Sequence, residues 1–131
     1  MSIRVGLYIL VLLCAQLKTA TAEVSNGQRH EVAHLLNFVA DTSCIIDRNG
    51  SRHNGQDALD HINKKYAYFR DDITSTEAFI ERAASKSMFS GSPYTVRCND
   101  EKVITTQQWL LDELFTYRKG KTKINQRRVS E

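Results

Sequence analysis

The residues best suited to chemistry lie near the start of the chain, where His30-Glu31-Val32-Ala33-His34 fits the pattern H-E-x-x-H. Two histidines one helical turn apart can hold a zinc ion, and the glutamate between them can act as general base on metal-bound water. The longer form of the motif is absent, because Asn37 and Ala40 stand where its glycine and third histidine belong. Other zinc hydrolases take a further ligand from a later helix, which here offers Glu77 and Glu81. Both are also expected to serve capping and solubility. His30, Glu31 and His34 are therefore carried as the alternative to a reading without catalytic residues, metal or cofactor. His53 and His61 stand near Asp57 and Asp60 at spacings that permit acid–base pairs, yet such pairs on one exposed helix face read first as solvated surface. No G-x-S-x-G elbow, phosphate-binding glycine loop or C-x-x-C is present.

The elements that must position these groups follow from composition and periodicity. The chain has 131 residues, 41% of them hydrophobic and 25% charged, with a formal net charge of +3, which describes one small domain. Residues 1–22 read as a secretory signal: Arg4 opens it, Ile3 to Ala15 form its apolar stretch, and Ala20-Thr21-Ala22 is an A-x-A cleavage site. A membrane anchor is the competing reading, but the stretch is short for a span and Lys18 breaks it. A lipoprotein signal at Cys14 fits less well, since Leu13 stands where a small residue is needed. Export to the periplasm is the expectation, with one globular domain over 23–118 and a basic disordered tail over 119–131.

Loss of the signal removes Arg4, Lys18 and Cys14 and leaves 16 basic against 15 acidic residues. It also leaves Cys44 and Cys98 as an even pair in an exported chain, so a disulfide is expected.

Four amphipathic helices are predicted. Val32, Leu35, Leu36 and Val39 make one stripe over about Gln28 to Val39. Asn54 caps a second helix to Arg70, with Leu59, Ile62, Tyr66 and Phe69 as its seam. Thr74 to Glu77 is read as a capping box with Thr74 as the cap, opening a helix that buries Phe79, Ile80, Ala83 and Ala84. Thr105 to Gln108 is a second box, opening a helix that buries Leu110, Leu111, Leu114 and Phe115. Asn49-Gly50 is the dipeptide of a type I′ hairpin after Cys44 to Arg48. Tyr94 to Cys98, following the turn Ser90-Gly91-Ser92-Pro93, is a strand candidate. If Tyr94 to Cys98 runs antiparallel beside Cys44 to Arg48, the two cysteines face each other. The expected fold is α+β, four helices packed on an antiparallel sheet of two to three strands.

Arg48-Asn49-Gly50, the segment from Ile73 to Glu77 with Phe79-Ile80, Ala84-Ser85 with Ser87, Ser90-Gly91 with Pro93-Tyr94 and Val96, and Trp109-Leu110 with Leu114 together resemble the YfeK-like family of small bacterial periplasmic proteins. The resemblance spans roughly Leu35 to Arg118. That family is a domain of unknown function, so it implies export and a compact fold and assigns no chemistry.

Two surfaces remain for binding. The pairing of strands should bring the hairpin near the serine-rich turn and form a recognition rim of Arg48, Ser87, Ser90 and Tyr94 for an envelope protein or a glycan. Turn chemistry alone would also account for those serines and glycines. The tail, with Lys119, Lys121, Lys123, Arg127 and Arg128, suits weak contact with anionic surfaces. Nucleic acid is not expected, because the body without its tail is net acidic.

Overall fold

In the computed structural model, which describes residues 25–130, α1 spans Asn26–Ala40, β1 Ile45–Arg48, β2 Ser51–His53 and α2 Gly55–Tyr68. A 3₁₀ turn over Arg70–Asp72 leads to α3 (Thr76–Ala84), β3 (Thr95–Arg97), β4 (Ile104–Thr105) and α4 (Thr106–Val129). The secretory segment read over residues 1–22 lies outside the described residues.

The sheet is antiparallel in the order β2-β1-β3-β4. It has four strands where two to three were expected. The added one, β4, is two residues long and runs straight into the cap of α4, too short for any alternation to mark it in the sequence. Ile45 pairs with Arg97 and Ile46 with Val96, a register that sets Cys44 opposite Cys98. The disulfide forms there across a Cα separation of 4.3 Å. Asn49 and Gly50 both take positive φ, as the I′ turn requires.

Four helices cover one face of this sheet. Phe79, Ile80, Leu35, Ile73, Leu110 and Leu114 fill the space between, met from the sheet side by Ile46 and Val96. The opposite face, with Ile45, Asp47 and Arg97, turns to solvent. Caps punctuate every helix. Asn54 accepts from the Asp57 amide and Thr105 from the Gln108 amide, as their sequence contexts require. At α3 the cap is Ser75, which accepts from Ala78, one residue later than the expected Thr74. At α1 a reciprocal box of Ser25 and Gln28 starts the helix. Gly55 is required where α2 begins, because a Cβ there would stand 2.3 Å from the Val39 carbonyl oxygen.

Three expectations need correction. The seam of α2 is Ala58, Ile62 and Lys65, with Leu59, Tyr66 and Phe69 half-buried beside it. Phe115 faces solvent, on the side of α4 turned away from buried Leu114, with the Lys119 ammonium over its ring. The segment expected to be disordered is helical to Val129. It buries nothing, but its lysines, arginines and glutamine favour helix, and Arg127 and Arg128 sit where they complement the helix dipole.

Candidate functional site

Glu31 sits on the α1 face that meets α3 and α4. Its carboxylate receives Nε and Nη2 of Arg118 at 2.8 and 2.9 Å, and the hydroxyl of fully buried Thr76 at 2.5 Å. Arg118 also donates through Nη1 to Glu77 at 2.5 Å. These hydrogen bonds from Arg118 hold both carboxyls below their ordinary range, Thr76 assisting at Glu31, against a smaller opposing effect of burial. A general base needs a free lone pair aimed at water, and the oxygens of Glu31 are committed to the guanidinium and the threonine. His34 donates from Nε2 to Glu113 at 2.7 Å and stacks on Tyr117, with ring centroids 4.0 Å apart. His30 remains in solvent. Among the described residues no three His, Cys, Asp or Glu side chains converge as a metal would require. The HEVAH segment thus ties α1 to α3 and α4.

The rim residues divide between surface and interior. Ser90 donates from Oγ to Asn49 Oδ1 at 3.3 Å, joining the serine turn to the hairpin tip as the strand pairing implied. Ser87 is buried, and its Oγ accepts from the Phe89 and Ser90 amides, so it holds the turn in shape. Tyr94 is only 5% exposed and points inward. Arg48 is half-buried between them and donates from Nη2 to His53 Nδ1 at 3.2 Å. At the apex of the turn Phe89 is fully exposed and Met88 half so.

Beneath the rim is a polar cluster that the sequence reading did not assemble. His61 Nε2 lies 3.2 Å from the Tyr94 hydroxyl. Lys65, 5% exposed, donates to the Lys86 carbonyl at 2.5 Å, and its ammonium stands 5.2 Å from the centre of the Tyr94 ring. His53 and His61 are thereby engaged by Arg48 and Tyr94, not by Asp57 or Asp60. Burial, joined by Arg48, Lys65, His53 and Lys64, lowers His61 from 6.5 to about 4. Burial lowers Lys65 as well, assisted by Arg48 and Lys86, and raises Tyr94 against the opposing charge of Arg48. One signal for this cluster was present in the sequence: Lys65 falls on the apolar stripe of α2, three residues after Ile62, where a charge needs a partner. Nothing in the order of residues tied Tyr94 to His61, 33 positions away.

Residues 26–118 match a family described as "Family of unknown function (DUF5329)", a span that begins with α1 and ends where α4 leaves the body. The chain is similar to the uncharacterized protein YfeK of Salmonella typhimurium, 33% identical over 76 residues, covering 57% of this chain and 63% of that relative. It therefore spans slightly less than two thirds of the length of that curated relative. No solved structure matches.

Proposed function

The chain belongs to the DUF5329 family of unknown function, and from that premise we propose that it is an exported, non-enzymatic binding module of the bacterial periplasm. What carries the reading is the corner where the Asn49–Ser90 hydrogen bond clasps the hairpin to a turn that holds Phe89 fully in solvent. An aromatic ring kept exposed on a turn braced by Ser87 is a preformed anchor for a partner. The commitment of Glu31 to Arg118 and Thr76 weighs against the zinc-hydrolase alternative. The partner is an envelope protein or a glycan, met by Phe89, Met88, Ser90 and Arg48. Beyond Arg118 the solvated cations of α4 add weak attraction to anionic surfaces, readable as salt-sensitive co-sedimentation with anionic vesicles.

The test is capture from a solubilised envelope fraction by the immobilised mature chain. Phe89→Ser and Arg48→Ala should abolish capture while shifting stability by no more than about 0.5 kcal/mol for the exposed Phe89 site. Protease treatment of the extract beforehand distinguishes a protein partner from a glycan. Capture that survives Phe89→Ser, or its absence with the unaltered chain, overturns the reading.

A further inference from the structure

The sheet has one face that the helices leave open, and a hollow of about 220 Å³ lies on it. Alternation along the strands turns its lining side chains outward: Arg52 from β2, Ile45 and Asp47 from β1, Thr95 and Arg97 from β3, and Val103 from the approach to β4. Ile46 and Val96, the residues between them, point the other way into the core. Three features set this hollow apart from ordinary surface. First, among the described residues Arg52 and Arg97 make no ion pair or hydrogen bond, although Asp47 lies directly across from Arg52 in the register. Second, Asp47 uses only Oδ1, which accepts from the Gly50 amide at the hairpin, and its other oxygen has no protein partner. Third, apolar surface stays open beside these charges, with Ile45 44% and Val103 38% exposed. The floor is braced, because the Cys44–Cys98 disulfide adjoins the paired residues Ile45 and Arg97.

We propose that this hollow binds a free amino acid with an aliphatic side chain. The guanidiniums of Arg52 and Arg97 take its carboxylate, Asp47 takes its ammonium, and Ile45 and Val103 take its side chain. A guanidinium offers the planar fork that a carboxylate accepts, and the Thr95 hydroxyl adds a neutral hydrogen-bonding group. The mixture of signs decides between ligand classes. A simple anion would lie against Asp47, and a simple cation would meet two guanidiniums, so each is repelled by part of the lining. A zwitterion matches both signs. Size narrows the choice further. A hollow of about 220 Å³ lies below the roughly 300–1,000 Å³ usual for larger ligands and suits a molecule of about ten non-hydrogen atoms, such as leucine. The site is distinct from partner capture by Phe89, and each can fail without the other.

Titration of the mature chain with leucine at constant ionic strength, followed by the amide NMR signals of β1 and β3, tests this. Leucine should shift the Asp47, Thr95 and Arg97 amides saturably, with a dissociation constant on the order of 0.1–1 mM for so few atoms on an open site. Leucinamide, which lacks the carboxylate, and 4-methylpentanoate, which lacks the ammonium, should each bind about tenfold more weakly, the low end for hydrogen bonds to a charged group. Glycine, without the side chain, should also bind at least about tenfold more weakly. Arg97→Gln and Asp47→Asn should each weaken leucine about tenfold. Asn keeps a side-chain oxygen for the Gly50 amide, and Arg97 is exposed, so the thermal midpoint should hold in both. If Asp47→Asn loosens the hairpin, Arg97→Gln decides. Phe89→Ser should leave binding unchanged. No saturable shift, equal affinity for leucinamide or 4-methylpentanoate, or full affinity in Arg97→Gln overturns the proposal.

Discussion

Replacing Glu31 by Gln separates its two assignable roles, a general base in HEVAH or a bracket between helices. The structure gives Glu31 three charge-assisted hydrogen bonds, two from Arg118 and one from Thr76. Such bonds are worth about 1.5–3 kcal/mol each when dry. Arg118 is 43% exposed at its side chain, however, so solvent screens its share to the level of a surface pair. Thr76 is fully buried, and the amide of Gln can still accept from it while losing the charge. The expected loss is about 1–2 kcal/mol, or about 5–15 °C in the thermal midpoint of a domain near 100 residues. The dependence on pH has a definite sign. Arg118 lowers the Glu31 and Glu77 carboxyls in the folded state, so their contribution is present above pH 4.5 and is lost as pH falls through the folded pKa values. The difference between the unaltered chain and Glu31→Gln should therefore be largest near pH 7 and shrink toward pH 3. Thermal unfolding by circular dichroism across that range measures it, and a cycle with Arg118→Met should show strong coupling. An unchanged midpoint in Glu31→Gln, together with loss of a zinc-dependent peptide hydrolysis present in the unaltered chain, would refute the bracket and restore the base.

Three further outcomes are expected. Cys44→Ala with Cys98→Ala opens a crosslink with a sequence separation of 54 and should cost about 4 kcal/mol on the chain-entropy account, read by denaturant unfolding with and without reductant. Gly55→Ala forces α2 away from the Val39 carbonyl and should destabilise by more than about 1 kcal/mol despite its better helix propensity, so a neutral result would show that the α1–α2 junction yields. His61 is lowered by burial and neighbouring cations, so the unfolded chain binds its proton first and stability falls as pH drops from 6.5 to about 4. With solvent screening at a half-open ring this amounts to about 1–2 kcal/mol. His61→Gln should flatten that part of the profile.

Much of the fold was legible because local signals agreed with one another. The stripe of α1, the caps at Asn54 and Thr105, the Asn49-Gly50 hairpin and the even cysteine pair each restrict only a few neighbours, and together they imply β1 beside β3 with the disulfide across them. Less of the candidate site was legible. HEVAH looked like chemistry because two histidines one turn apart satisfy a metal as well as a helix surface, and only Arg118, 87 positions away, shows how Glu31 is used. The hairpin and the serine turn do meet, through Ser90 and Asn49, but residue type could not say that Ser87 and Tyr94 turn inward while Phe89 turns out. Nor could periodicity foresee that α4 continues to Val129, since helix propensity and dipole complementarity leave no apolar stripe to read.

What the sequence determined by itself, then, is the α+β class, the order of the four helices and the first three strands, the pairing of β1 with β2 and β3, and the family resemblance, read from local signals and from the pairing of two cysteines. What only the tertiary structure decided is which polar groups cluster beneath the rim and which carboxylates are already occupied. Hydrogen bonds and desolvation act through space at about 3 Å, and pairs such as His61 with Tyr94 and Glu31 with Arg118 come that close only after the core has packed.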